Sequence, residues 1–307
     1  MEDANTSAEK EQVFIPRRAV AVTIGVDSQS DGFYYLLACW GRKLETWLPL
    51  TGRLVGDMRG EEVWKALSEV LSANWFDRDG NQYRPVCAAL DVQGDHYPEC
   101  LEFVRAHRYK CRLHAVRGYG GAKASSSARS FGILRNVYQD KSTGVPVQNL
   151  DTDIAKSQLA TMLARKDPIQ VHLPCGPHGE NVGGWDAESI AELTAEYRRE
   201  EHVRGYTLTK WYKRSGRPNH RLDCFAYSLA ALALSRLKID DCELQRTEAK
   251  NVGKEPEKKE PPKWGAIYRA PLPGETNSWP KVPVGSVPVP QDKPRSVWGV
   301  QNRPIEW

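Results

Sequence analysis

Residues 23–41 read TIGVDSQSDGFYYLLACWG. The apolar run AVAVTIGV at 19–26 ends on Asp27, and a second apolar run begins after only Ser-Gln-Ser-Asp-Gly. Two such runs around a short, glycine-containing polar turn predict a β-hairpin. LETWLPL at 44–50 predicts a third strand, so the chain opens as an antiparallel meander. A buried carboxylate at a strand end costs several kcal/mol unless a positive charge or hydrogen-bond donors meet it. Asp27 therefore marks a place where something compensates.

Beyond the meander, strands and helices alternate. GEEVWKALSEVLSANW (60–75) carries apolar residues at 63, 64, 67, 70 and 71, a helical stripe. PVCAALDVQ (85–93) predicts a buried strand, YPECLEFVRAHRY (97–109) a helix and CRLHAVRG (111–118) a strand. DTDIAKSQLATMLARK (151–166) predicts a helix, and IQVHLP (169–174) and GYTLTKWYK (205–213) predict strands. The last ordered element, NHRLDCFAYSLAALALSRL (219–237), is strongly helical, with Asn219 as its expected cap and Leu222, Phe225, Ala226, Leu229, Ala230 and Ala233 as its apolar face. The expected fold class is α/β: a mixed sheet, three antiparallel strands plus parallel ones, flanked by helices on both faces.

Composition sets the limits. With 307 residues, 40% hydrophobic and 27% charged, the chain is expected to be globular and soluble. No run approaches the ~18 apolar residues of a membrane helix, and the polar start MEDANTSAEKEQ does not resemble a signal peptide. No membrane partner and a cytoplasmic location are expected. Seven scattered cysteines in mostly apolar surroundings point to reduced core thiols. Residues 1–18 read as a polar leader and 19–238 as the folded domain. Residues 239–307 read as an extended, largely disordered tail, because 11 of the 20 prolines and four of the ten tryptophans fall at 251–307 without apolar periodicity.

Charge is unevenly spread. Residues 103–139 hold eight Lys or Arg and no acid, and residues 202–222 hold six and no acid. Such stretches suit a phosphate backbone, whose neutralisation releases counterions. The residues expected to bind DNA are Arg117, Lys123, Arg129, Lys210, Lys213, Arg214 and Arg217. A solvated basic face is the alternative.

Three carboxylates occupy comparable places: Asp27 at the end of the first strand, Asp91 at the end of the fourth expected strand, and Asp223 in the first turn of the last helix. If the first and fourth strands are neighbours, the late helix brings Asp223 against the other two. Three converging carboxylates repel one another, and hard divalent cations such as Mg²⁺ or Mn²⁺ remove that repulsion. A pair of such ions supports phosphodiester hydrolysis. Taken singly, each aspartate is also what a turn or a helix start commonly uses.

The segment GVDSQSDGFYYLLACWGRKLETWLPL resembles the entry to the nuclease domain of the large terminase subunits of lambda-like tailed phages. In that family a G-[IV]-D-x-Q strand is followed by a strand ending in W-G and by an E-[ST]-W-L segment. The likeness continues in order through ALDVQGDH, DTDIAKSQL, LTAE at 193–196 and LDCFAYSLAAL. It implies an RNase H-like fold and a metal-dependent endonuclease that cuts concatemeric double-stranded DNA during packaging in the host cytoplasm. Asp27, Asp91 and Asp223 are the implied catalytic and metal-binding residues, with two Mg²⁺ or Mn²⁺ ions. The implied partners are an ATPase motor, a small terminase subunit and a portal.

Several departures qualify the likeness. Asn219-His220-Arg221-Leu222-Asp223 stands where the family commonly has N-E-A-L-D, so His220 is a candidate proton shuttle or water partner, or else a surface histidine. Gln93-Gly94-Asp95-His96 lacks the usual paired glycines, which makes Asp95 a candidate outer ligand. Asp153 is another, or a helix N-cap. GYGGAKASSS at 118–127 does not complete a phosphate-loop motif, and there is no room for a motor ahead of Ala19, so the sequence is expected to be an isolated nuclease fragment or the product of a split or truncated gene. Two C-x-x-H pairs, Cys111/His114 and Cys175/His178, have zinc-like composition, but Cys111 and His114 are expected on opposite strand faces. A catalytically idle module that binds DNA or a portal, and a resolvase-like nuclease, remain as alternatives.

Overall fold

The computed structural model describes residues 13–109, 111–120, 132–166, 170–174, 182–203 and 206–242. In chain order the elements are β1 (Ala21–Gln29), β2 (Gly32–Trp40), β3 (Thr46–Val55), α1 (Glu62–Ser72), β4 (Trp75–Phe76), β5 (Gln82–Tyr83), β6 (Cys87–Asp91) and α2 (Tyr97–His107). They continue with β7 (Leu113–Tyr119), β8 (Leu134–Gln139), β9 (Pro146–Asp151), α3 (Thr152–Leu163), β10 (Val171–His172), α4 (Ala187–Glu192), β11 (Glu196–Val203), β12 (Tyr206–Lys213) and α5 (His220–Ser235).

Eight strands form one sheet in the order β10-β3-β2-β1-β6-β7-β9-β8. β1, β2 and β3 pair antiparallel, as the meander predicts, while β1-β6-β7-β9 run parallel. This is the mixed sheet of antiparallel and parallel strands expected from the sequence. β4, β5, β8, β9, β11 and α4 are additions. β8 is an exposed edge strand with no apolar alternation, β9 buries polar Gln148 and Asn149, and β11 reads as the charge run EYRREEHV. None of the three carries the alternation by which a half-buried strand is recognised.

The sheet separates two apolar layers. Even-numbered β1 residues Val22, Ile24 and Val26 meet α1 and α2 through Leu67, Leu71, Leu101 and Val104. The opposite layer holds Leu36, Ala38, Trp40, Ala89 and Val116 under α5, with α3 contributing Ala155, Leu159 and Met162. Packing reaches beyond both expected domain limits. Ile15 is buried and its N–H donates to Phe76 O, and Ile239 is buried in the second layer. The expected tail from 243 onward lies outside the described residues.

One close approach sets the position of α5. A Cβ on Gly25 would stand 1.9 Å from Cys224 O and 2.5 Å from Ser228 N, so only glycine lets the helix backbone rest on the strand. Two residues of strand and one turn of helix advance the chain by similar distances. The row His220, Cys224, Ser228 therefore lies along the row Asp27, Gly25, Thr23. At one end Thr23 Oγ1 donates to Ser228 O over 3.0 Å and itself accepts Trp40 Nε1 over 2.7 Å. At the other end His220 meets Asp27.

Gly25→Ala is expected to destabilise the fold by about 3 kcal/mol or more, the upper range for overpacking, because both contacting groups are backbone and cannot rotate away. Urea unfolding monitored by circular dichroism measures this, and a loss within ordinary surface-mutation scatter would contradict it.

Candidate active site

Asp27 and Asp91 are neighbours by register. The last paired positions of β1 and β6 are Val26 and Leu90, so the next residue of each parallel strand is an aspartate. Adjacent strands lie ~4.8 Å apart. Asp27 follows Thr23 and Gly25 on the face covered by α5, and Asp91 reaches the same helix through Tyr227. Both are buried. Asp223, in the first turn of α5, closes the third side, and the Asp27 charge raises the proton affinity of both Asp91 and Asp223.

Each carboxylate has its own set of partners. Asp27 Oδ2 accepts Gln29 Nε2 and the Nδ1–H of His220, each at 2.9 Å. The His220 ring stacks on Tyr34, with centroids 4.2 Å apart and planes 5° apart, which holds the imidazole in place. Asp91 Oδ2 accepts the Tyr227 hydroxyl at 2.9 Å and Oδ1 accepts the Gln93 N–H at 3.2 Å. Asp223 Oδ1 pairs with Lys156 Nζ at 2.9 Å, and Oδ2 accepts Asn219 Nδ2 at 2.7 Å. Asn219 thus serves the carboxylate with its side chain and makes no side-chain capping bond on α5, contrary to the expectation from sequence.

Charge density in the site is high. Burial pushes Asp91 up to about 8, the Asp27 charge adds to the rise, and the Tyr227 and Gln93 hydrogen bonds only partly offset it. Burial also pushes Asp223 up to about 6, with the Lys156 ammonium pulling down and the Asp27 charge pushing up. Burial alone would lower Lys156, but Asp223 and Glu196 outweigh it and hold its ammonium form above the usual lysine range.

The other expected positions are spread more widely. Asp95 is exposed in the turn before α2. Asp153 lies in the first turn of α3, but the cap is Asp151, whose Oδ1 accepts the Ile154 N–H at 3.0 Å. Asp153 adjoins Gly120 and adds its charge to the field around Lys210. Lys213, the last residue of β12, and Arg214 and Arg217, in the segment between β12 and α5 that leads into Asp223, are exposed, and the Arg214 guanidinium lies over the Tyr197 ring. Lys210 pairs with Glu201 instead of standing free. Arg117 stacks over Tyr119 and bonds Tyr138; its position in β7 is two residues from Ala115, whose side chain packs in the layer opposite α5. Lys123, Arg129, Cys175 and His178 lie outside the described residues. Cys111, two residues before β7, belongs to the α1/α2 layer, and His114, which follows Leu113 of that same layer, falls on the other strand face.

Lys156, Glu196 and Tyr227 were not singled out from the sequence. The segments T-D-x-A-K and LTAE contain the first two, and Tyr227 is one helical turn beyond Asp223, the spacing that puts both on one face. The donor set at Asp27 and Asp91, all carboxylate oxygen, with the Asp27 charge raising the proton affinity of Asp91, fits a hard divalent cation. Among the described residues, no group of three His, Cys, Asp or Glu side chains is arranged to hold a metal ion.

The fold and site define a mixed-sheet α/β protein with an acidic cluster at the carboxyl ends of adjacent parallel strands. Residues 2–244 match the family model described as terminase large subunit gpA, endonuclease domain. The chain belongs to that family. It is 28% identical over 252 residues to the terminase large subunit of Escherichia phage lambda, covering 78% of this chain and 37% of that protein. It thus spans little more than a third of that relative's length. Among solved structures, the large terminase nuclease of thermophilic phage G20c aligns at 16% identity and TM-score 0.33, over 71% of this chain and 85% of that one.

The raised proton affinity of Asp91 carries a pH dependence. Between its ordinary value of 3.8 and about 8 the folded state holds a proton that the unfolded chain has released, so stability falls as pH rises through that window. Without divalent cations, the melting temperature of the wild type is expected to fall across this window relative to that of Asp91→Asn. Parallel pH profiles for the two proteins would contradict the assignment.

Proposed function

We propose that this chain is a metal-dependent endodeoxyribonuclease that hydrolyses phosphodiester bonds of double-stranded DNA, with Asp27, Asp91 and Asp223 as its catalytic carboxylates. The observation that carries this reading is the juxtaposition of Asp27 and Asp91 by strand register under Asp223, with Asp91 pushed up to about 8 partly by its neighbour's charge. Buried like charges kept this close serve poorly as scaffolding and well as cation ligands.

Asp27 and Asp91 would hold the divalent ion, Mg²⁺ or Mn²⁺, with Asp223 on the third side. When bound, such an ion activates water and stabilises the developing charge on the leaving oxygen. The protein's own groups prepare the place. Tyr227 and the Gln93 N–H fix the orientation of Asp91, and Gln29 and His220 fix Asp27. His220, held by Asp27 and Tyr34, can take up or release a proton at the rim of the site. The exposed Lys213, Arg214 and Arg217 supply the positive surface that positions a phosphate backbone without reading sequence.

The family membership supports a place in genome packaging, with concatemeric DNA as substrate and an ATPase motor, a small terminase subunit and a portal as partners in the host cytoplasm. None of the described helices is long and apolar enough to cross a membrane.

Plasmid nicking with Mg²⁺ or Mn²⁺ tests the assignment. Asp27→Ala, Asp91→Ala and Asp223→Ala should each lower the rate by at least ~10²-fold, on the scale of losing one preorganised charged group. Equal nicking by the wild type and all three variants would overturn it, as would DNA binding without cleavage by the wild type. Preference for branched over linear duplexes would favour a resolvase-like enzyme instead. Reversing charge in Lys213→Glu/Arg217→Glu should weaken DNA binding and reduce the slope of log affinity against log salt by roughly 2, about one for each lost phosphate contact; an unchanged slope would remove these residues from the interface.

A further inference from the structure

The positive charge inside the site is placed asymmetrically. Lys156, with its side chain only 11% exposed, has Nζ 2.9 Å from Asp223 Oδ1 and 2.5 Å from Glu196 Oε1. Asn219 Nδ2 closes the ring by donating to Asp223 Oδ2 and Glu196 Oε1, both over 2.7 Å. Both oxygens of Asp223 are thereby engaged. The ammonium cannot leave without stranding the Glu196 carboxylate, itself only 5% exposed, in a buried place with no counter-charge. Three elements hold this arrangement: α3 supplies Lys156, the first residue of β11 supplies Glu196, and the start of α5 supplies Asn219 and Asp223.

Asp27 and Asp91 are served differently. Their partners are an amide side chain, an imidazole, a phenol and a backbone N–H, so neither touches an obligate cation. The carboxylate pair left without a fixed counter-ion lies at these two strand ends. A divalent cation arriving at the site meets a pair of carboxylates on one side and an occupied carboxylate on the other.

We propose that Lys156 makes the cation positions unequal: in the absence of nucleic acid the protein takes one divalent ion, between Asp27 and Asp91, and the Lys156 ammonium stands at Asp223 as a built-in positive charge where a second ion would otherwise bind. This rests on the reading of the carboxylates as a metal site and refines its stoichiometry. Lys156 is a positioning residue here, acting on the ions through Asp223. Catalysis would then start from an enzyme holding one ion, with Asp223 released from Lys156 only when a phosphate brings its own charge into the site.

Titration of the full chain with Mn²⁺, following free aquo-Mn²⁺ by electron paramagnetic resonance without DNA, reads the count directly. The expected result is one ion per wild-type chain, at least 10-fold weaker binding in Asp27→Asn, and two ions in Lys156→Met. The double variant Lys156→Met/Glu196→Gln removes the buried pair together, so that neither partner is stranded, and should also take two ions. Lys156→Arg, which keeps the charge, should take one. Two equivalent ions in the wild type would overturn the inference while leaving the metal-site reading intact. A count of one in both Lys156→Met and the double variant, with native circular dichroism, would do the same. No Mn²⁺ binding by the wild type would overturn both.

Discussion

The absence of a side chain at Gly25 governs the geometry of this protein. α5 rests its backbone directly on β1 there, at distances no Cβ permits, and every contact around the carboxylates follows from that seat. The register of the helix on the strand sends His220 to Asp27 and Tyr227 to Asp91, and it places Asp223 over both. Lifting the helix by the thickness of a methyl group would break these contacts together, because they share one rigid element. The Thr23, Trp40 and Ser228 hydrogen bonds secure the far end of the same seat.

A site assembled this way carries a permanent electrostatic cost. Three carboxylates on one buried face are tolerated because each has donors of its own and because one of them, Asp223, has a lysine. The distribution of that compensation is uneven: Asp91 has only a phenol and an amide N–H, and its proton affinity rises further than that of Asp223. Burial and like charge therefore concentrate the demand for a cation at the ends of β1 and β6. The exposed basic residues Arg214 and Arg217 lie in the segment just before α5, so that a polyanion held there lies close in the chain to the helix start that carries Asp223.

Much of this was readable in the sequence because it depends on local rules. The alternating runs around the Ser-Gln-Ser-Asp-Gly turn specify the hairpin, the spacing of apolar residues in 219–237 specifies the helix, and both survive in the structure with boundaries shifted by one or a few residues. The edge strand β8 and the charged strand β11 were not readable, since neither alternates apolar with polar residues. Asn219 and Asp153 looked like helix caps by residue type. The structure uses Asn219 to bridge Asp223 and Glu196, and gives the α3 cap to Asp151, one position before the helix.

By itself, the sequence determined the meander, the late helix and the presence of an aspartate at the end of each of two strands and at the start of that helix, because period and chain order suffice for these. Only the tertiary structure decided that β6 pairs with β1 in a register that sets Asp91 beside Asp27, and that Lys156 and Glu196, 40 positions apart, meet at Asp223. Those facts depend on which strands become neighbours and on how closely a helix backbone can approach one of them. Such contacts join distant parts of the chain, and no local pattern of residues encodes their distances.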